Sequence, residues 1–275
     1  MSGPGSTGQE SAGLNLDWAG YLRGREVRRA LAAARLGDAP AGVREGLETL
    51  LDFQDALRAR RLPLARRALG RYRESLEELE PADALPLRAS ADPPGLEAAL
   101  SALEAADRER VVEPEALEAR LSLALAEAFT RAEALNTLGV LHALQERPQQ
   151  ASSAFSGALD ADPGHYRALT NLGNMALEGG DPAEAERLYR QAIGLNADYA
   201  GAQHNLGVAL RRQGRLGESV RYVRSGQRLS VRQIRRDQDD SLRANPASVR
   251  AVGLVRAAVL VLVVLAVLLL LRGRL

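Results

Sequence analysis

Three Leu-Gly pairs recur in the chain at a fixed interval of 34 residues: Leu138-Gly139, Leu172-Gly173 and Leu206-Gly207. A fixed interval of this size indicates one helical hairpin that is repeated and stacked on its neighbours. The same interval relates a second set of residues to their counterparts: Ala151, Phe155, Ala158 and Leu159 to Ala185, Tyr189, Ala192 and Ile193. The period predicts a stack of helical hairpins.

The repeated residues have complementary roles in packing. The glycine of each pair lacks a Cβ, which allows a partner helix to approach closely. Phe155 and Tyr189 supply the bulk that fills the space between the helices. Between two of the helices, the run Gly179-Gly180-Asp181-Pro182 predicts a helix end, an N-cap and a proline at the first helical position.

This pattern resembles the tetratricopeptide repeat (TPR), a 34-residue unit with Leu-Gly in its first helix and Ala, an aromatic residue and Ala in its second. The resemblance covers residues 132–230 and weakens in the third unit, where Ser219, Val223 and Gly226 replace Ala, the aromatic residue and Ala. It implies an all-α solenoid of helical hairpins whose first helices line a concave groove, and this groove holds a peptide or a partner helix.

The resemblance also implies which side chains line the groove. The groove positions of the family correspond to the following residues in the first helices of this chain: Asn136, Thr137, Val140, Arg167, Thr170, Asn171, Asn174, His204, Asn205, Val208, Arg211 and Arg212. Asparagine amides there can bond the main chain of an extended peptide, and Arg211 and Arg212 can meet acidic groups. The alternative is a solvated helix face. The subclass that binds chaperone tails uses a lysine-rich clamp, and this chain has no lysine, so we do not expect that ligand.

The remainder of the chain is predicted to be helical. Hydrophobic residues make up 46% of the chain and aromatic residues only 4%, which is typical of stacked helices. Apolar residues recur at helical spacing, and no long segment alternates with period two. We divide the chain into a disordered tail (1–14), an N-terminal helical region (15–80), a linker (81–94), a degenerate helical hairpin (95–131), three repeats (132–230), a capping helix and linker (231–250), a transmembrane helix (251–271) and a short tail (272–275).

Seven arginines form a basic run in the N-terminal region: Arg58, Arg60, Arg61, Arg66, Arg67, Arg71 and Arg73. Such a run can contact anionic lipid or nucleic acid. Carboxylates flank it, including Asp52, Asp55 and Glu74. The balance of charges favours a solvated, ion-paired surface over a binding site for phosphates.

Residues 257–271 are exclusively Ala, Val and Leu. Extending this segment back to Ala251 gives a helix of about 31 Å, enough to cross a bilayer core of about 30 Å. Arg256 and Arg272 would lie near its ends, where they can reach the headgroups. The segment predicts a single-pass, C-terminally anchored membrane protein. The arginines before the span and the absence of a signal peptide favour a cytoplasmic N-terminal domain.

No residue pattern indicates catalysis. The chain has no cysteine, and its three histidines show no metal-ligand spacing. We therefore expect no enzyme activity, cofactor, metal or small-molecule substrate, and the net charge of +1 favours no nucleic-acid partner. The sequence predicts a membrane-anchored TPR scaffold or adaptor that binds a protein or peptide partner in its groove. The alternative is an assembly factor or structural subunit of a membrane or envelope complex.

Overall fold

The computed structural model describes residues 16–244, and the regular elements in this range are all helices. They are α1 Trp18–Arg23, α2 Val27–Leu36, α3 Ala41–Arg58, α4 Leu62–Glu77, α5 Pro81–Ser90, α6 Pro93–Glu109, α7 Pro114–Arg120, α8 Ser122–Ala126, α9 Arg131–Leu144, α10 Pro148–Ala161, α11 Tyr166–Glu178, α12 Pro182–Leu195, α13 Ala200–Arg212 and α14 Leu216–Ala244. The all-α prediction is confirmed. The chain forms two compact units, the first ending at Ala197 and the second beginning at Asp198.

One continuous hydrophobic core joins the N-terminal helices of the first unit to the start of the repeats. It extends from Leu22 in α1 to Leu138 in α9. Tyr72 is among its largest buried side chains, and its hydroxyl donates to the carbonyls of Leu87 at 3.1 Å and Ala91 at 3.0 Å. Because the buried phenol is satisfied, it adds apolar area to the core without leaving an unpaired polar group.

Helix α5 occupies most of the segment 81–94 that the proline content predicts to be a linker. Pro81 stands in the first turn, where the helix needs no N–H from it. Pro86 lies inside the helix and removes one hydrogen bond. Ala84 and Leu87 are buried, and their burial offsets that loss. Proline density alone does not reveal this burial.

The hairpin formed by α11 and α12 has the predicted turn. Helix α11 ends at Glu178, and Gly180 adopts a φ of +85° that a residue with a side chain rarely adopts. The Asp181 carboxylate accepts N–H groups of the first turn of α12 at 3.2 and 2.9 Å, and Pro182 is the first helical residue. The turn therefore satisfies the helix start through a side chain.

The predicted close approach between glycine and an aromatic ring occurs in both hairpins of the first unit. A Cβ on Gly139 would lie 2.5 Å from Cε1 of Phe155, and one on Gly173 would lie 2.5 Å from Cε1 of Tyr189. Both rings are fully buried. In each hairpin the ring fills the space that the missing Cβ leaves.

The second unit has the same close contact at a glycine, but a valine takes the place of the aromatic ring. A Cβ on Gly207 would lie 2.6 Å from Cγ2 of Val223, and the Ser219 hydroxyl donates to the Gly207 carbonyl at 2.7 Å. Helix α14 contains 29 residues and continues beyond residue 230, where the sequence predicts a separate capping helix.

The predicted location as a single-pass, C-terminally anchored membrane protein is wrong. No helix within residues 16–244 is long and apolar enough to cross a membrane. Helix α14 is long enough, at about 43 Å, but six arginines lie between residues 219 and 236. Charged side chains at that density oppose insertion. The expected span 251–271 and the expected tails 1–14 and 272–275 lie outside the described residues.

We expect Gly173→Ala to destabilise the protein, because the new methyl group overlaps the buried ring of Tyr189. Overpacking costs about 1–3 kcal/mol, which outweighs the gain of about 0.5–1 kcal/mol from replacing a helical glycine by alanine. The matched control is Gly194→Ala in α12, where a Cβ meets nothing within 4 Å. This control should raise the free energy of unfolding. Urea unfolding followed by circular dichroism measures both, and equal stabilisation of the two variants would contradict the packing role.

Candidate partner-binding surface

The predicted groove residues of the first unit lie on α9 and α11. On α9, residues three or four positions apart share one face, and this face runs from Glu133 through Asn136 and Val140 to Leu144. Its first half is polar and its second half is apolar. The two halves have different environments in the structure.

Glu133 is a buried carboxylate with several partners on one side of α9. Its Oε1 accepts from Nη1 of Arg60 at 3.1 Å, and its two oxygens accept from Nη1 of Arg167 at 3.0 and 2.8 Å. Nε2 of His165 lies 3.1 Å from Oε2. Because Nδ1 of His165 accepts the backbone N–H of Ala168 at 3.1 Å, Nε2 carries the proton and donates to Glu133.

The electrostatics of this cluster favour the charged carboxylate. Burial opposes ionisation of Glu133, but Arg167, His165 and Arg60 outweigh it and hold the pKa of Glu133 below its ordinary value. Removing one member of such a buried pair leaves the others uncompensated, which costs several kcal/mol. The cluster therefore fixes α9, α11 and the turn between α3 and α4 together.

The turn between α3 and α4 lies against the polar half of the α9 face. Besides Glu133, Arg60 donates to the hydroxyl of Thr137 at 3.1 Å and to Asp107 at 2.6 Å. The Thr137 hydroxyl donates to the Glu133 carbonyl at 2.8 Å. Two predicted groove residues, Thr137 and Arg167, are therefore engaged by side chains of their own chain.

A second ion pair joins the end of α3 to the loop after α10. Nε and Nη2 of Arg58 each donate to one oxygen of Asp162 at 2.7 Å, which is a bidentate arrangement. The guanidinium lies so close to Gly164 that a Cβ there would fall 2.5 Å from Nη2. Burial opposes the charge on Asp162, but Arg58 holds the pKa of Asp162 below its ordinary value.

The predicted amide and hydroxyl residues of this unit also make internal hydrogen bonds. Asn136 is fully buried, and its Oδ1 accepts from Nδ2 of Asn171 at 2.8 Å. Among the described residues its Nδ2 has no partner. Thr170 is buried and donates to a carbonyl of its own helix at 2.9 Å, and Oδ1 of Asn174 accepts from the Tyr189 hydroxyl at 2.8 Å. The bond between Asn136 and Asn171 links two successive hairpins, and the bond between Tyr189 and Asn174 joins the two helices of one hairpin.

The apolar half of the α9 face is open to solvent. Val140 is 36% exposed and Leu144, one turn later, is 77% exposed. The amide of Gln145 donates to the carbonyl of Val112 at 2.7 Å, which places Val112, itself 64% exposed, beside the end of α9. We call Val112, Val140 and Leu144 the α9 patch. Clustered exposed apolar side chains are typical of interaction surfaces.

In the second unit, the predicted residues lie along one face of α13. His204, Arg211 and Arg212 are exposed, and Asn205 and Val208 are half-buried. The spacing of four, seven and eight residues from His204 places most of them on a common stripe. This face combines an imidazole, an amide and two guanidinium groups, so it can accept acidic or hydrogen-bonding partners.

Sequence reasoning missed several residues of this surface. Glu133 and Leu144 lie on the same face of α9 as Asn136 and Val140, at a spacing of three or four residues. Extending the predicted face by one turn in each direction would therefore have included both residues. Arg58 has no such signal, since 104 residues separate it from Asp162.

The predicted ion pairing of the basic run is confirmed for four of its members. Besides Arg58 and Arg60, Arg66 pairs with Glu97 and with Glu104, and Arg71 pairs with Asp52.

We expect Glu133→Gln to lower the free energy of unfolding by about 3 kcal/mol at pH 7, the lower end of the range for a broken buried pair, because Arg167 is only 15% exposed and loses the Glu133 carboxylate, whereas Arg60 keeps Asp107 as a partner. A lowered pKa in the folded state means that the carboxylate stabilises the fold fully above its ordinary pKa of 4.5 and loses this effect as the pH falls through the folded value. The difference in the free energy of unfolding between wild type and variant should therefore become smaller below about pH 4.5. Urea unfolding at several pH values measures it.

The control is Glu184→Gln. Its partner Arg187 lowers the pKa of Glu184 through a hydrogen bond, but the pair is exposed. This change should alter the free energy of unfolding by less than about 0.5 kcal/mol. A Glu133→Gln variant that is as stable as wild type at pH 7 would contradict the stabilising role of the Glu133 cluster.

Comparison with known proteins identifies the repeats. A family model for the tetratricopeptide repeat matches residues 136–200 and again residues 170–230. No curated protein sequence matches the chain.

Among solved structures, a MamA protein is 18% identical and aligns over 70% of this chain and 94% of its own, with a TM-score of 0.36. A further MamA structure, from AMB-1, is 18% identical over 65% of this chain and 95% of its own, with a TM-score of 0.38. BtubC from P. vanneervenii is 17% identical over 80% of this chain and 92% of its own, with a TM-score of 0.41. At these TM-scores the likeness extends to no functional property. The 34-residue period, the paired helices and the family match agree, and residues 136–230 of this chain are tetratricopeptide repeats.

Proposed function

We propose that this protein is a non-enzymatic scaffold that binds another protein through the α9 patch. Tandem repeats of this kind present the inner faces of their first helices to partners. The observation that carries the proposal is the exposure of Leu144, which at 77% is the most exposed large apolar side chain of the α9 face. Val140 precedes it by one turn on the same helix face, and the carbonyl of Val112 is bonded to the next residue, Gln145.

The internal contacts of the first unit support the apolar half of the α9 face over its polar half. Arg60 and Arg167 both donate to the buried Glu133 carboxylate, and Arg60 also donates to Thr137, so a ligand would have to displace these ion pairs to reach them. Such displacement costs several kcal/mol. Covering Leu144 and Val140 displaces only water, which favours association.

In the second unit, taken by itself, the exposed face of α13 is a further candidate surface for a polar partner. Arg211 and Arg212 carry charge at the end of that helix, and His204 begins the stripe. Polar contacts of this kind contribute to selectivity and association rate more than to affinity. Asn171 and Asn174, which are half-buried in α11, contribute mainly to holding the hairpins in place.

Site-specific photocrosslinking in cells tests the α9 patch. A benzophenone amino acid at position 144 should give discrete crosslinked species on a denaturing gel, because the partner covers this side chain. The matched control is position 85, since Leu85 is 66% exposed but lies on α5, outside the repeats. Adding Val140→Glu should abolish the species at position 144. Equal crosslinking at positions 144 and 85, or crosslinking that survives Val140→Glu, would overturn the proposal.

A further inference from the structure

Helix α14 presents a row of arginines that the groove does not use. Arg221, Arg224, Arg228 and Arg232 follow one another at intervals of three or four residues, so they share one face over about 16 Å. All four are exposed. We call them the α14 basic face. The opposite side of the helix packs on α13 through buried positions such as Ser219 and Gly226.

The charge is unbalanced along the middle of this helix, since its acidic residues, Glu218, Asp237, Asp239 and Asp240, come before and after the segment 219–236. Residues 219–236 contain six arginines and no aspartate or glutamate. Arg224, Arg228 and Arg232 are spaced by four residues, a spacing at which like charges destabilise a helix by a few tenths of a kcal/mol per pair. A partner that brings carboxylates to these positions would remove this repulsion.

The first unit shows the contrasting arrangement. There, arginines on helix surfaces meet carboxylates of neighbouring helices, as Arg28 meets Asp55 at 2.7 Å and Arg35 meets Glu48 at 2.7 Å. The sequence of α14 offers no such counter-charge at positions three or four residues from Arg224, Arg228 or Arg232. The basic face is therefore a local feature of α14 rather than a property of the chain as a whole.

An apolar edge runs beside the basic face. Val220, Val231 and Ile234 are each half exposed, and at 100° per residue they fall on the side adjoining Arg224. Nucleic-acid phosphates would pair with the arginines but would leave these apolar side chains in water. An acidic amphipathic helix matches both features, because its carboxylates and its apolar residues repeat with the same spacing of three and four residues.

We propose that the α14 basic face and its apolar edge together bind an acidic amphipathic helix of another protein. Carboxylates of that helix pair with Arg224, Arg228 and Arg232 in forked hydrogen bonds, for which the guanidinium group is suited. Its apolar residues cover Val231 and Ile234. The residues of this surface are different from those of the α9 patch, so the two can be tested with separate variants.

Fluorescence anisotropy with the full-length chain tests the proposal. The probe is a labelled synthetic 21-residue peptide of Leu, Ala, Gln and Glu, with Glu in one helical row and Leu in the adjoining row. A peptide of the same composition in scrambled order is the control ligand. The ordered peptide should bind at least tenfold more tightly than the scrambled one, and its affinity should fall as salt rises.

Two sets of variants locate the binding site. Arg224→Gln/Arg228→Gln/Arg232→Gln should weaken binding at least tenfold, and glutamine preserves helix formation. The matched control changes three exposed arginines of the first unit to glutamine: Arg73, Arg108 and Arg147. It removes the same charge and should alter affinity less than twofold. Circular dichroism confirms that helix content is retained.

The apolar edge distinguishes a protein helix from a nucleic acid. Val231→Ser/Ile234→Ser should weaken binding of the ordered peptide several-fold, whereas Leu36→Ser/Leu85→Ser, at two exposed leucines of the first unit, should leave it unchanged. A labelled 20-nucleotide single strand is the competing probe. Equal binding of the ordered and scrambled peptides, equal loss in the control triple variant, or tighter binding of the oligonucleotide with no effect of the serine changes would each overturn the proposal.

Discussion

The buried carboxylate of Glu133 is the contact on which the arrangement of the first unit depends. It brings together Arg60 from the turn after α3, and His165 and Arg167 from the start of α11. A charge of this kind is stable in the interior only when cations and hydrogen bonds surround it. The repeats and the N-terminal helices are therefore joined by electrostatics as well as by their shared apolar core.

This cluster also decides which part of the α9 face can meet a partner. Its polar end is filled by Arg60, a residue that lies far away in sequence but lies against Thr137 in space. Its other end, with Val140 and Leu144, has no comparable cover from the N-terminal helices and remains exposed. The α9 face therefore has two parts: an exposed apolar surface at Val140 and Leu144, and a polar part at Glu133 and Thr137 that Arg60 covers.

Much of the helical architecture was predictable from the chain because its causes are local. The 34-residue period, the turn at Asp181 and the close approach at Gly139 and Gly173 are all present as predicted. Each depends on residues within one hairpin, where spacing along the sequence sets spacing in space. Helix α5 was less predictable, because its prolines disfavour a helix and only burial of Leu87 offsets them.

The candidate surface was less accessible to sequence reasoning. The family pattern places Asn136 and Arg167 correctly on first helices, but it does not reveal that both are engaged within the protein. The predicted membrane location rested on residues beyond the described part of the chain, and no helix of residues 16–244 can cross a membrane.

The sequence by itself determined the helical hairpin, its period and the glycine contacts inside it. These follow from side-chain size and helical spacing, which act over short stretches of chain. The tertiary structure decided which polar residues form hydrogen bonds and ion pairs within the protein and which apolar residues stay exposed. That outcome depends on the meeting of Arg58 with Asp162 and of Arg60 with Glu133, across separations of 104 and 73 residues. Only the folded chain can bring such distant charges within hydrogen-bonding distance.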